Sequence, residues 1–161
     1  MPSRISVLFV CMGNICRSPL AEGVFLHKIN QRGMADRFRV ESAGTGGWHA
    51  GSRPDPGSVR IAGKHGIVLP SRARVVEPSD FDAFDHILCM DRINERHLLA
   101  QGAPREKLRL LLSLDPRADR DEVPDPYGEG ADAFELVYRL VDSACDVLLD
   151  ELAGPSEASP S

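Results

Sequence analysis

The chain lacks a long hydrophobic run, a surplus of positive charge, a paired-cysteine metal motif and any internal repeat. Each absence excludes something. The mostly apolar stretch Ile5 to Val10 is too short for a membrane span or for the apolar region of a signal peptide. Cleavage behind it would also remove the residues that carry the chemistry below. A cytoplasmic protein with no membrane partner is therefore expected. The net charge of −5 offers no basic field, so nucleic acid is not an expected partner. None of the four cysteines, Cys11, Cys16, Cys89 and Cys145, forms a CxxC pair. Zinc is not expected, and free thiols are the default in a cytosolic chain.

What is present fits one domain. The chain has 161 residues, 42% of them hydrophobic, enough for a sizeable core. The domain is expected over residues 1–152. Residues 153–161, small with Pro and Glu, read as a disordered tail.

Strand and helix signals alternate. Ile5 to Val10 reads as a buried parallel strand. Ser18 followed by Pro19 reads as an N-cap and first helical residue, with Gly33 as the stop. Phe38 to Ser42 alternates as a second strand. Residues 43–56 form a Gly- and Pro-rich loop carrying the only tryptophan, Trp48. A short helix is expected over 57–66 and a third strand over 84–90. Asp91 would cap a helix running to about Gly102. Leu108 to Leu112 is the fourth strand candidate, and 116–130 is polar and turn-rich. An apolar stripe from Phe134 to Leu152 marks the last helix. This order implies an α/β fold, a parallel sheet with helices on both faces. Ligands in such sheets bind beyond the C-terminal strand ends.

At the end of the first strand stands Cys11-Met12-Gly13-Asn14-Ile15-Cys16-Arg17-Ser18. Successive N–H groups of a loop entering a helix cradle an anion, and the helix dipole is positive there. Gly13 permits the backbone angles such a loop needs. Arg17 offers a planar fork for two phosphate oxygens. The same field favours the thiolate of Cys11, its nucleophilic form. Ser18 is placed to hydrogen-bond that sulfur. Attack by sulfur on phosphorus leaves an oxyanion that needs a proton from a carboxylic acid. Asp-Pro occurs at 55–56, 115–116 and 125–126, and the residues alone do not choose among them.

Plainer readings stand beside these. Cys16 is by default a packing residue, although its nearness to Cys11 permits a redox disulfide. Cys89 and Cys145 read as core. Trp48 is as much a loop anchor as a pocket wall, His65 is a surface or capping residue, and Asp91 is a cap.

Beyond the cysteine loop, the stretches Ser42-Ala43-Gly44-Thr45, Lys64-His65-Gly66-Ile67, Phe84 to Asp91 and Asp125-Pro126-Tyr127 complete a resemblance. Over roughly residues 5 to 150 the chain resembles the low-molecular-weight protein tyrosine phosphatases. The resemblance implies a three-layer sandwich around a four-stranded parallel sheet. It implies cofactor-free, metal-free hydrolysis of a phosphotyrosine-containing protein, with inorganic phosphate as product. It makes Cys11 the nucleophile, Arg17 the phosphate clamp and Asp125 the acid and later base. Met12, Gly13, Asn14, Ile15, Cys16, Arg17 and Ser18 would bind phosphate. Asn14, Ser18 and His65 would form a network shaping the loop, with Asp91 a supporting polar group. Met12, Trp48 and Tyr127 would flank a slot deep enough to prefer aryl phosphates. The chain departs from many members at Gly128, where a second tyrosine follows the first. A monomer or weak self-association is expected, through aromatics around the slot.

Three alternatives share this loop. Arginine phosphatases resemble it but tend to carry threonine where Ile15 stands. Arsenate reductases need a relay of two further cysteines, and Cys89 and Cys145 fall on unrelated core elements. A non-catalytic phosphotyrosine-binding module would be expected to lack Cys11 or Asp125.

Overall fold

The computed structural model describes residues 4–154. Its centre is a sheet of four parallel strands in the order β2-β1-β3-β4, with β1 Ile5–Cys11, β2 Phe38–Gly44, β3 His86–Cys89 and β4 Leu108–Leu110. Strand β1 pairs with β2 on one side and β3 on the other, Val10 facing both Ala43 and Cys89. The chain therefore reverses its direction of winding at β1. The topological switch point, where such sheets bind ligands, lies beyond Cys11.

Alternate side chains of β1 feed two cores. Val7, Phe9 and Cys11 join the cluster under α1 (Arg17–Gln31), α2 (Pro56–Lys64) and α5 (Ala131–Ala153). Leu8 and Val10 join Phe81, Phe84 and Leu98 beneath α3 (Pro78–Ala83) and α4 (Arg92–Ala100). A strand buried on both faces needs no polar alternation, which is why β1 reads as a near-continuous apolar run. The result is the expected three-layer α/β sandwich.

Local boundaries differ from expectation in informative ways. Ser18 does not cap α1. The helix begins at Arg17 behind Cys16, and no side chain caps it, because the Ser18 hydroxyl faces Cys11 instead. Asp55 caps α2 by accepting from the Gly57 N–H, one residue ahead of the expected start. Helix α3 escaped the sequence reading because six residues show no periodicity. Its local signal is Pro78 at the first turn, with Asp80 accepting from the Glu77 N–H at 2.7 Å. Strand β3 occupies only 86–89 of the expected 84–90. Strand β4 stops at Leu110, and Leu111–Leu114 turns into a 3-10 helix. Asp91 does cap α4, accepting from the Asn94 N–H at 2.8 Å. Helix α5 runs through Ala153, which the sequence assigns to the tail, and the rest of that expectation from 155 lies outside the described residues. No helix among the described residues is long and apolar enough to cross a membrane.

Candidate active site

The loop after β1 is shaped by where its carbonyls go. The carbonyl of Cys11 accepts from Thr45 N–H, that of Met12 from Gly46 N–H and that of Ile15 from Asp55 N–H, at 2.7 to 3.0 Å. The Cys16 carbonyl accepts from the Ser58 hydroxyl. All are drawn outward to the 44–58 segment. Because N–H and C=O of a peptide point in opposite directions, the N–H groups are turned inward. None of the N–H groups from Met12 to Cys16 meets an acceptor among the described residues. Asn14 takes a positive φ of 57°, uncommon for any residue but glycine. Gly44 lets the loop approach closely, since a Cβ there would sit 2.8 Å from the Met12 carbonyl oxygen.

Buried side chains hold that conformation. The Asn14 amide oxygen accepts from Arg74 N–H at 2.9 Å, with the amide nitrogen turned the other way. Its Nδ2 donates to Ser18 Oγ at 2.8 Å and to Ser42 Oγ at 3.0 Å. Ser18 Oγ lies 3.0 Å from Cys11 Sγ. When Cys11 is a thiolate the hydrogen between them is that of Ser18, whose oxygen already accepts from Asn14. Cys11 itself is 2% exposed, at the bottom of a cavity of about 330 Å3.

Arg17 enters from the first turn of α1, 97% covered by its surroundings. Nη1 donates to Asp91 Oδ2 at 2.7 Å and to the Val123 carbonyl at 2.9 Å. Nε is buried without a hydrogen-bond partner among the described residues, and Nη2 stands 3.9 Å from Asp125 Oδ2. The Nε–Nη2 edge is therefore the one turned to a ligand, and it is the edge that grips two oxygens of one phosphate. Burial pulls the guanidinium down, but Cys11, Asp91 and Asp125 outweigh it and hold it charged.

The cavity is lined by Cys11, Met12, Ile15, Trp48, Asp125 and Tyr127 among others. Asp125 reaches it from the turn before α5, where its Oδ1 accepts from Tyr127 N–H at 3.1 Å. The structure thus brings together the residues proposed from sequence as nucleophile, clamp, acid and walls. Gly13 and Cys16 line the same cavity, and burial pushes the Cys16 thiol up. Trp48 is 71% exposed, so it does not anchor its loop in the core.

His65 is not brought to the loop. It ends α2 at an exposed position and stacks on Tyr138 with ring centroids 3.9 Å apart. No hydrogen bond links it to Asn14 or Ser18. The Asn14 amide reaches Ser42 instead, and Ser42 reaches the buried Glu22. Sequence reasoning missed Glu22 and Ser42 because one reads as a helix residue and the other as a strand residue. It also missed His49, whose ring lies 5.7 Å from that of Tyr127 and would touch a Cβ at Gly13. Only its place beside Trp48 hinted at it. Among the described residues no three or more His, Cys, Asp or Glu side chains are grouped to hold a metal.

A thiol under inward N–H groups, a guanidinium edge and a carboxyl at the mouth are suited to phosphoryl transfer. The family profile described as low molecular weight phosphotyrosine protein phosphatase matches residues 6–157. A Schizosaccharomyces pombe protein named low molecular weight phosphotyrosine protein phosphatase is 43% identical over 147 residues, covering 88% of this chain and 94% of its own length. The crystal structure of YfkJ from Bacillus subtilis superimposes with a TM-score of 0.89 at 38% identity, covering 94% of this chain and 96% of its own. An arginine phosphatase from Drosophila superimposes with a TM-score of 0.83 at 32% identity, covering 91% and 97%. With profile, sequence and fold agreeing over nearly its whole length, the chain belongs to the low-molecular-weight phosphotyrosine protein phosphatase family.

Proposed function

We infer that this chain is a protein-tyrosine phosphatase that hydrolyses phosphotyrosine through a cysteinyl-phosphate. The observation that carries the reading is the convergence of Cys11, the Arg17 edge and Asp125 on one cavity walled by aromatic rings. In the first step the Cys11 thiolate attacks phosphorus, and the S–P bond forms as the P–O bond to the phenol breaks. The loop N–H groups and Arg17 hold the equatorial oxygens, whose charge they stabilise without reorganising. Asp125 gives its proton to the leaving phenolate oxygen. In the second step the Asp125 carboxylate takes a proton from water, whose oxygen attacks phosphorus. The S–P bond breaks, inorganic phosphate leaves, and the thiolate returns to the Ser18 hydroxyl.

The depth of the site supports an aryl substrate. Trp48, Tyr127 and Met12 stand exposed on the cavity that holds the buried sulfur, a lining that suits an aromatic ring. The fold alone does not separate tyrosine from arginine phosphatases, as the Drosophila structure demonstrates. Ile15 at the cavity wall favours a flat apolar ring over a guanidinium. A cysteine relay of the arsenate reductase kind is disfavoured. Cys89 and Cys145 are both fully buried, in the two separate cores on opposite faces of the sheet.

The substrate is read as a phosphotyrosine-containing protein met in the cytoplasm by a monomer or a weakly self-associating enzyme. Four free cysteines among the described residues and a net charge of −5 support that setting. The catalytic domain is read as residues 1–152, which Ala153 extends by the last residue of α5.

The test is hydrolysis of an aryl phosphate by wild type, Cys11→Ser and Asp125→Ala, with and without chelator. Loss in Cys11→Ser and retention under chelator are expected. Activity that survives in Cys11→Ser would sink the reading. Parallel assays on phosphoarginine and arsenate decide the alternatives.

A further inference from the structure

The catalytic loop is steadied from behind by a buried carboxyl that the reaction does not use. Glu22 sits in α1, 5% exposed. Its Oε1 accepts from Ser42 Oγ at 2.6 Å. Ser42 Oγ accepts from Asn14 Nδ2 at 3.0 Å, and Asn14 Nδ2 also donates to Ser18 Oγ at 2.8 Å. Ser18 Oγ stands 3.0 Å from Cys11 Sγ. The five side chains form one chain from α1, through β2 and the loop, to the nucleophile.

The directions of these bonds follow from counting hydrogens. An amide nitrogen has two, and Asn14 spends one on Ser18 and one on Ser42. A hydroxyl has one. Ser42 receives at its oxygen from Asn14, so its own hydrogen needs another acceptor, and Glu22 is that acceptor. No cation is bonded to Glu22 among the described residues. Its charged neighbours are Glu41 and Arg74, and the Arg74 guanidinium is bonded to Asp80 and Glu41. The Ser71 hydroxyl also favours the charged form of the Glu22 carboxyl.

We propose that Glu22 is a positioning residue: by accepting the Ser42 hydroxyl hydrogen, it sets the direction of the donor chain through Asn14 and Ser18 that ends on the Cys11 thiolate. Without it the Ser42 hydrogen is stranded in the core, where an unmet donor is costly. Its nearest remedy is a flip of the Asn14 amide that presents oxygen to Ser42. That flip turns the amide nitrogen against Arg74 N–H and takes the donor away from Ser18. The Ser18 hydroxyl then loses the partner that orients it, and the thiolate is less well stabilised.

The inference rests on Cys11 being the nucleophile, so its test reads the sulfur directly. The pH profile of Cys11 alkylation by iodoacetamide is measured on wild type, Glu22→Met, Glu22→Gln, Ser42→Ala and the double variant Glu22→Met with Ser42→Ala. Melting temperatures, kcat and KM on an aryl phosphate accompany it. Glu22→Met is expected to move the profile up by about one pH unit, a tenfold loss of thiolate below it. Glu22→Gln, whose amide oxygen can take the same hydrogen, is expected to restore the wild-type profile. The double variant has no stranded hydrogen and is expected to match Ser42→Ala. An unmoved profile in Glu22→Met overturns the proposal, as does a Gln variant shifted like Met. So does a shift by Glu22→Met that persists in the Ser42→Ala background. Should Glu22→Met fail to fold, a Gln profile displaced from wild type still overturns the proposal, as does a double variant displaced from Ser42→Ala. A wild type whose Cys11 alkylates normally but which hydrolyses no aryl phosphate would defeat the phosphatase reading and leave this one intact.

Discussion

The buried Arg17 and the half-buried Asp91 form an ion pair, Nη1 to Oδ2 at 2.7 Å, while the other oxygen of the same carboxylate caps α4 through Asn94 N–H. One side chain thus ties Arg17 to the end of the neighbouring strand. Asp91→Ala is expected to lower stability by about 1 kcal/mol through the lost cap. It also leaves Nη1 held by the Val123 carbonyl alone, and losing a charge-assisted bond of about 1.5–3 kcal/mol corresponds to about a 10- to 160-fold fall in kcat/KM. Asp91→Asn keeps an oxygen for the cap. Melting curves beside kinetics for the two variants separate the roles. Equal stability losses in both would contradict the capping half of the argument.

Gly44 and Gly63 make a matched pair. A Cβ at Gly44 would press on the Met12 carbonyl oxygen, which is backbone and cannot turn aside. Gly44→Ala should destabilise by about 1–3 kcal/mol and depress activity by distorting the loop. Gly63 lies inside α2 with nothing within 4 Å of an added Cβ. Gly63→Ala should stabilise by about 0.5–1 kcal/mol with activity unchanged. Chemical denaturation measures both.

Alkylation should be selective. Burial pushes the thiols of Cys16 and Cys145 up and that of Cys89 up to about 12. At neutral pH iodoacetamide is expected to modify Cys11 alone, and inorganic phosphate should protect it. Mass spectrometry of the peptides reads the outcome. Early labelling of Cys89 or Cys145 would mean that the core opens.

Trp48 is 71% exposed and lies over Gly46, yet lines the cavity. Trp48→Ala should change stability by no more than about 0.5 kcal/mol. It should lower kcat/KM for aryl phosphates while leaving a slow alkyl phosphate unaffected. A large drop in melting temperature would instead make Trp48 a loop anchor.

Burial raises the Glu22 carboxyl above its ordinary 4.5, against the pull of the Ser42 and Ser71 hydroxyls. The native state then holds this proton more tightly than the unfolded chain does. Stability from Glu22 is complete below 4.5 and declines as pH rises toward the raised value. Glu22→Gln carries no such penalty. Its melting temperature relative to wild type should therefore be more favourable at pH 7.5 than at pH 4. The opposite trend would mean that Glu22 is stabilised as a carboxylate.

Residues 5–18 carried most of what could be read in advance, because each step there is local. An apolar run, a glycine-bearing loop and a helix start follow in sequence, and parallel strands place their ligands where such a loop falls. Asp91 as a cap was legible for the same reason. Asp125 was not legible from its neighbours, since three Asp-Pro pairs look alike and only the family resemblance chose one. Glu22 and Ser42 gave no signal and His49 only its place beside Trp48, because what matters about them is a contact across 20 or more residues.

The sequence by itself determined the alternation of strands and helices, the anion loop with its thiol and arginine, and the absence of a basic field. Those follow from spacing and residue type. Tertiary structure alone decided which edge of Arg17 faces a ligand, since Asp91 and the Val123 carbonyl occupy the other side. It replaced His65 with Ser42 and Glu22 behind the loop, because α2 ends away from the site while β2 runs beside it. The physical reason is common to both: a hydrogen bond is set by direction and distance, and these are fixed only when distant segments pack together.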